Sequence, residues 1–371
     1  MRPVPSTPTR TRTGRLARAA LLTGGALAGT AAAAVGSYVR HNLTSRRREL
    51  DDVADAGFVE RQVVVDGRRV NYAEGPDNGA PVVLLHGQGS RWQDASPVLP
   101  VLAEDHHVFA VDVPGHGDSD WLPAEEYTNA RVGEILAGAL EAAVGEPAIV
   151  SGHSSGGLLA LWIAAHRPDL VSGLLLEDPP LFSSEMPRLL RTTGGTLPRL
   201  AEEYLATSVV ESFQRYFVAR GDYFAFFGPL EQPIVDYSLR WLDRHPDEPL
   251  RLFFLPPFVT VFFEGLVRYD PAFGAAWVRD LWYEGFDTAT ALSAVAAPTV
   301  LLHTNYFDHA RGSAYQDGIL MAAMDSDDVE RALRLLPGAD LLQVASGHLV
   351  HVERPNAYLD ALFGLSEEVN G

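Results

Sequence analysis

Six short apolar runs punctuate the chain at 81–85, 108–112, 148–152, 171–177, 298–303 and 340–344, each bounded by Gly, Pro or Asp. A run this short that is apolar nearly throughout, rather than at alternate positions, suits a strand covered on both faces, as in a parallel sheet. Helical patterns lie between the runs, at 125–144, 156–166, 327–336 and 355–365. Such alternation implies an α/β class: a doubly wound, mostly parallel sheet with helices packed on it. Ahead of the first run, 59–65 and 68–73 read as a hairpin turned at Asp66-Gly67.

One stretch breaks this rhythm. Residues 179–297 carry no convincing strand pattern and hold 22 of the chain's 35 aromatic residues. That is too long for a loop inside a compact domain, so it reads as an inserted helical cap. Phe254, Phe258 and Phe262 recur at helical spacing, which places most of these rings in the cap's own core. Any that face the sheet would line an apolar pocket. The expected organisation is an amino-terminal segment at 1–48, a core at 49–178 and 298–371, and the cap at 179–297.

The amino-terminal segment has its own character. Positions 19–39 are free of charge and flanked by Arg on both sides, and the first 48 residues hold nine Arg and no acid. As a helix the run would reach ~31 Å, about one hydrocarbon core. Its length and the Arg cluster after it favour a retained membrane anchor. The small residues at 26–28 and 31–34 fit a cleaved export signal, and a disordered tail is the third reading. Beyond residue 48 the balance is 20 Arg against 48 acids. A body this acidic repels phosphate backbones, which argues against a nucleic-acid partner. Cys is absent, excluding disulfides, thiolate metal sites and a cysteine nucleophile. No ligand-spaced His/Asp cluster or phosphate loop implies a metal or organic cofactor.

The chemical signal is Gly152-His153-Ser154-Ser155-Gly156, between the run ending at 152 and a helical pattern. A strand-to-helix turn this tight forces strained backbone on its central residue, and the flanking Gly relieve clashes. It would lift the Ser154 hydroxyl clear of the sheet's carboxyl edge. A neutral hydroxyl needs a base, and His348 follows the last strand run at that same edge. His351, one turn further on, competes but reads as a packing residue. The base needs an acid to fix its tautomer. Asp308, the first carboxylate after the 298–303 run, is the leading candidate, with Asp325, Asp178 and Glu177 as alternatives. Backbone N–H groups of Ser155 and Gln88 would stabilise an oxyanion, Gln88 lying in His86-Gly87-Gln88-Gly89 after the 81–85 run.

Together with Asp112-Val113-Pro114-Gly115-His116-Gly117-Asp118-Ser119, these motifs resemble the ordered signatures of the α/β-hydrolase superfamily over about 58–178 and 298–365. The resemblance implies a serine esterase- or lipase-like member with a cap, and a structural turn at His116 rather than a catalytic role. Relatives that open epoxides or displace halide carry Asp where this chain has Ser154. Ser favours cleavage of a carboxylic ester through an acyl-serine, with a small apolar ester as substrate. A lyase, acyltransferase or cofactor-free haloperoxidase on the same scaffold, and a non-catalytic ligand-binding protein, stay open as alternatives. Gly is missing from the Thr304-Asn305 turn where the family usually has it, which weakens Asp308 as the acid.

Overall fold

The computed structural model describes residues 13–207, 211–304, 312–336 and 338–371, with the side chains of 13–33 set aside. A helix α1 (Thr13–Asp55) leads into a hairpin of β1 (Val59–Val65) and β2 (Arg68–Glu74). Next come β3 (Pro81–Leu85), α2 (Leu99–Leu102), β4 (His107–Val111), α3 (Asn129–Ala143), β5 (Ala148–His153), α4 (Ser155–His166) and β6 (Val171–Glu177). The chain then runs through α5 (Thr196–Ala206), α6 (Phe213–Arg220), α7 (Glu231–Leu242), α8 (Pro257–Leu266), α9 (Pro271–Val278) and α10 (Thr288–Ala294). It returns with β7 (Thr299–Thr304), a short hairpin β8 (Tyr315–Gln316) and β9 (Ile319–Leu320), α11 (Ser326–Leu335), β10 (Ala339–Val344), α12 (Val350–Glu353) and α13 (Pro355–Asn370). The main sheet has the order β1-β2-β4-β3-β5-β6-β7-β10. It is parallel from β4 to β10, while β2 pairs antiparallel with both β1 and β4.

The apolar runs become central strands because both of their faces are covered. Val83, Leu85, Val150, Leu174 and Leu176 point into one core, and Val82, Leu84, Ile149 and Leu175 into the other. Helices α3 and α4 fill the first layer, and α13 supplies Tyr358, Leu359 and Leu362 to the second. Each fully buried aliphatic chain contributes roughly 1.5–3 kcal/mol. Helix α3 starts four residues later than the pattern at 125 suggests. Thr128 adopts extended backbone and its hydroxyl caps Arg131 N–H at 3.0 Å, while 124–126 form a separate 3₁₀ turn.

Among the described residues of 179–297 there is no strand, and the helices there build a largely aromatic core of Phe213, Phe217, Phe224, Phe263, Phe273, Trp277 and Trp282. The far half of α1 lies against this insertion. Tyr38 Oη and Asn42 Nδ2 donate to the carbonyls of Phe254 and Phe253 at 3.4 and 2.9 Å. Among the described residues no helix is long and apolar enough to cross a membrane. Of the 19–39 run, the side chains up to residue 33 lie outside the described residues, so the anchor expectation falls largely beyond them.

Candidate active site

Ser154 sits between β5 and α4 with φ 54° and ψ −121°, a left-handed conformation that costs energy for any residue with a side chain. The surroundings enforce it. Ser154 N–H donates to Glu177 O at 2.9 Å across to β6. A Cβ on Gly152 would fall 2.3 Å from Gly156 O, and one on Gly156 would fall 2.3 Å from Leu85 O. The turn therefore closes only with hydrogen at both flanking positions.

Adjacent strands deliver the other groups to the same edge. Strand β6 ends at Glu177, paired with Leu302 of β7, so Asp178 emerges beside Thr304. Asp178 is fully buried, and every donor around it is fixed. Its Oδ1 accepts from Thr304 N at 3.0 Å and His303 Nδ1 at 3.2 Å. Its Oδ2 accepts from Thr304 Oγ1 at 2.9 Å and His348 Nδ1 at 2.7 Å. Burial alone would raise its pKa, but the hydrogen bonds from His303 and His348, with their charge, hold it well below the usual carboxylate range.

His348 follows β10 in a turn fixed from two sides. Gly347 N–H donates to Glu353 Oε2 at 3.0 Å, and the His153 ring Nε2 donates to the His348 carbonyl at 3.0 Å. His153 stays neutral because burial pushes its pKa down to about 3. Its ring packs 4.6 Å from that of His348. Burial would lower the His348 pKa too, but the Asp178 hydrogen bond and the charges of Asp178, Glu177 and Glu353 raise it above the ordinary value. The His348 side chain remains 43% exposed, and its Nε2 has no hydrogen-bond partner among the described residues. No hydrogen bond joins it to Ser154 Oγ among the described residues.

The loop after β3 closes over Ser154. A Cβ on Gly87 would lie 3.0 Å from Ser154 Cβ and 2.8 Å from His153 Nδ1, so this backbone touches the Ser154 side chain. Gly89 N–H is taken by His116 Nε2 at 3.1 Å and Ser90 N–H by Gly87 O at 3.2 Å. Gln88 N–H has no acceptor among the described residues, while the Gln88 side chain is anchored to Tyr269 Oη at 2.9 Å. Ser155 opens α4, where first-turn amides lack intrahelical partners. His86 and His116 stack edge to face beneath the loop, and burial lowers the pKa of each, leaving neutral acceptors for Val113 and Gly89 N–H.

A family described as α/β hydrolase fold matches residues 80–219. The chain is 38% identical over 101 residues to a pimeloyl-[acyl-carrier protein] methyl ester esterase of Neisseria meningitidis, covering 27% of this chain and 37% of the esterase. It is 37% identical over 108 residues to the lipase LipV of Mycobacterium tuberculosis, covering 28% of this chain and 39% of that one. The chain thus spans well under half the length of these relatives. Among solved structures, a membrane phospholipase A aligns over 95% of this chain and 99% of its own, at TM-score 0.55 and 22% identity. The mostly parallel sheet with its helical insertion has the α/β-hydrolase fold.

On this fold, Ser154, His348, Gln88 and Ser155 gather at one rim of the sheet. Asp308 lies outside the described residues, and the carboxylate bonded to His348 is Asp178, one of the alternatives. Asp325 is elsewhere. It caps α11 through Asp328 N–H at 3.0 Å and binds Arg188 at 2.8 Å. Glu177 accepts from His351 N and Nδ1 at 2.9 and 2.8 Å, which occupies both residues. Sequence reasoning passed over Thr304, His153 and Glu353 as supports. Their only signal was proximity in the chain to strand ends and to the two motif residues.

Proposed function

We propose that the chain is a serine carboxylic-ester hydrolase in which Ser154 is the nucleophile, His348 the base and Asp178 the acid. The observation that carries this reading is the 2.7 Å Asp178–His348 bond, at the rim where Ser154 projects from its strained turn. Ser154 Oγ attacks the ester carbonyl while His348 Nε2 takes its proton. Asp178 keeps Nδ1 protonated and stabilises the imidazolium. The oxyanion is met by Gln88 N–H and Ser155 N–H. Collapse expels the alkoxide, which leaves as alcohol with the proton from His348. Water, activated by the same base, then attacks the acyl-Ser154 carbonyl and frees the acid.

The cap favours an apolar acyl group. A Cβ on Gly89 would lie 2.8 Å from the Phe262 ring, 3.2 Å from Leu197 and 3.3 Å from Leu266, so hydrocarbon lies over the loop that supplies Gln88. In this reading the uncharged run at 19–39 is a membrane-association element. Fractionation of the full chain entirely into the soluble phase at low salt would remove that element. The function itself is tested with a fluorophosphonate probe and p-nitrophenyl esters of graded chain length. One adduct per chain at Ser154 and turnover that rises with acyl length are expected. A folded protein that takes no label would refute the assignment.

A further inference from the structure

Helix α1 ends in a cluster of charges that reaches the loop over Ser154, although its residues are remote in sequence from both the loop and the cap. Arg46 spends its whole guanidinium on buried or half-buried partners. Nη2 donates to Asp94 Oδ1 at 2.7 Å, Nη1 to Ser96 Oγ at 2.9 Å and Nε to Glu264 Oε2 at 2.8 Å. Asp94 is 2% exposed and accepts the hydroxyl of Ser90, the residue that closes the Gly87–Ser90 turn. Glu264 belongs to α8 and also receives Arg91 Nη2 at 2.8 Å.

Helix α8 in turn rests directly on that loop. A Cβ on Gly265 would fall 2.1 Å from Gly89 O, so the two backbones are in contact. Phe262, one turn before Gly265, and Leu266, the residue after it, flank Gly89. Two chains of contact therefore run from Arg46 to Gln88. One passes through Asp94 and Ser90, the other through Glu264 and the backbone of α8. Nothing in the acyl-transfer chemistry itself calls for a cation on α1.

We propose that Arg46 is a positioning residue that locks the oxyanion loop and the cap helix α8 together from the amino-terminal helix. A planar guanidinium with donors fixed in a fork suits this role, because it sets three acceptors at defined angles at once. An ammonium on a flexible stem would supply the charge without the geometry. The inference rests on the reading of Gln88 N–H as an oxyanion donor. Loosening the loop removes stabilisation present only in the transition state, so kcat falls while ground-state binding of the ester is little changed.

The test compares full-length wild type, Arg46→Lys and Arg46→Ala, with rates expressed per Ser154 titrated by fluorophosphonate so that misfolded protein does not count. Loss of one oxyanion donor costs about 10²–10³ in kcat, and a displaced one costs less. Arg46→Lys is expected to lower kcat about tenfold with KM within about twofold, and added guanidinium to restore most of the kcat lost in Arg46→Ala. A kcat per titrated site within about twofold of wild type in Arg46→Lys overturns the proposal, even if Arg46→Ala does not fold. So does a loss that appears in KM alone. If wild type labels but hydrolyses no tested ester, the labelling rate of Ser154 replaces kcat and is expected to fall by the same factor. If wild type does not label, the esterase reading has failed and takes this inference with it.

Discussion

Two carboxylate–histidine pairs stand side by side at the rim of the sheet, and they are built from neighbouring residues. Asp178 holds His348 at 2.7 Å, and Glu177 holds His351 at 2.8 Å. Both carboxylates are buried and sit below their usual pKa. In both histidines burial would lower the pKa, but the partner's hydrogen bond and charge raise it. The difference is access. His348 is 43% exposed and its second nitrogen is unpaired among the described residues, whereas the His351 side chain is 9% exposed and packs on His153 and Tyr358. Under the proposed function, like pair chemistry serves as a base where the ring meets solvent and as a strut where it does not.

The largest expected effect separates the pairs outright. His348→Ala should lower kcat by roughly 10⁴–10⁶, the scale of losing a triad member. Steady-state kinetics at matched fold content check this, and a loss below about tenfold would dissolve the distinction. On the other side, Glu177→Gln breaks a buried pair and should cost about 3–5 kcal/mol of stability. Its kcat per titrated site should stay within about tenfold of wild type, as read by denaturant melts beside active-site titration. Equal losses of kcat in both variants would show that the second pair is not a strut.

The pairs also make a prediction about pH. A raised His348 pKa places the rising limb of kcat/KM above about 6.5, because the base must be neutral to act. For stability the signs differ by group. Asp178 and Glu177 are depressed, so their contribution is present above about 4 and is lost as pH falls through their folded values. His348 and His351 are raised, so theirs is present below about 6.5 and is lost as pH rises through their folded values. Thermal melts across pH 3–9 should therefore show highest stability between those limits, and a flat profile would count against both pairs. The smallest effect lies in the cap. Phe262→Ala should lower kcat/KM for long acyl esters by about tenfold relative to acetate, the worth of a few methylenes in an apolar pocket.

The centre of the sheet was legible because its strands are buried on both faces, which writes continuous apolar runs into the sequence. Strands β3 and β6 begin and end where those runs do, and β1 spans the first arm of the expected hairpin. The positions of Ser154 in a strained turn and of His348 after β10 were legible for a related reason, since a tight turn needs Gly152 and Gly156 and the last strand run ends just before His348. The acid was not. The chain order Ser, acid, His is met equally by a carboxylate after β6 or after β7. Only the sheet order, which sets those strands side by side, brings Asp178 and Thr304 into one cluster. Chain spacing also carried no sign that Arg46 on α1 reaches Asp94 and Glu264, because those contacts are made by the folded cap.

The claim everything depends on is that Asp178 holds His348 as the base for Ser154. Kinetics of Asp178→Asn beside Asp308→Asn, both per titrated Ser154, test it most directly. A fall of roughly 10³–10⁴ in kcat is expected for Asp178→Asn, with the rising pH limb moved lower, and near-wild-type turnover for Asp308→Asn. A large loss in Asp308→Asn with Asp178→Asn still active would contradict it.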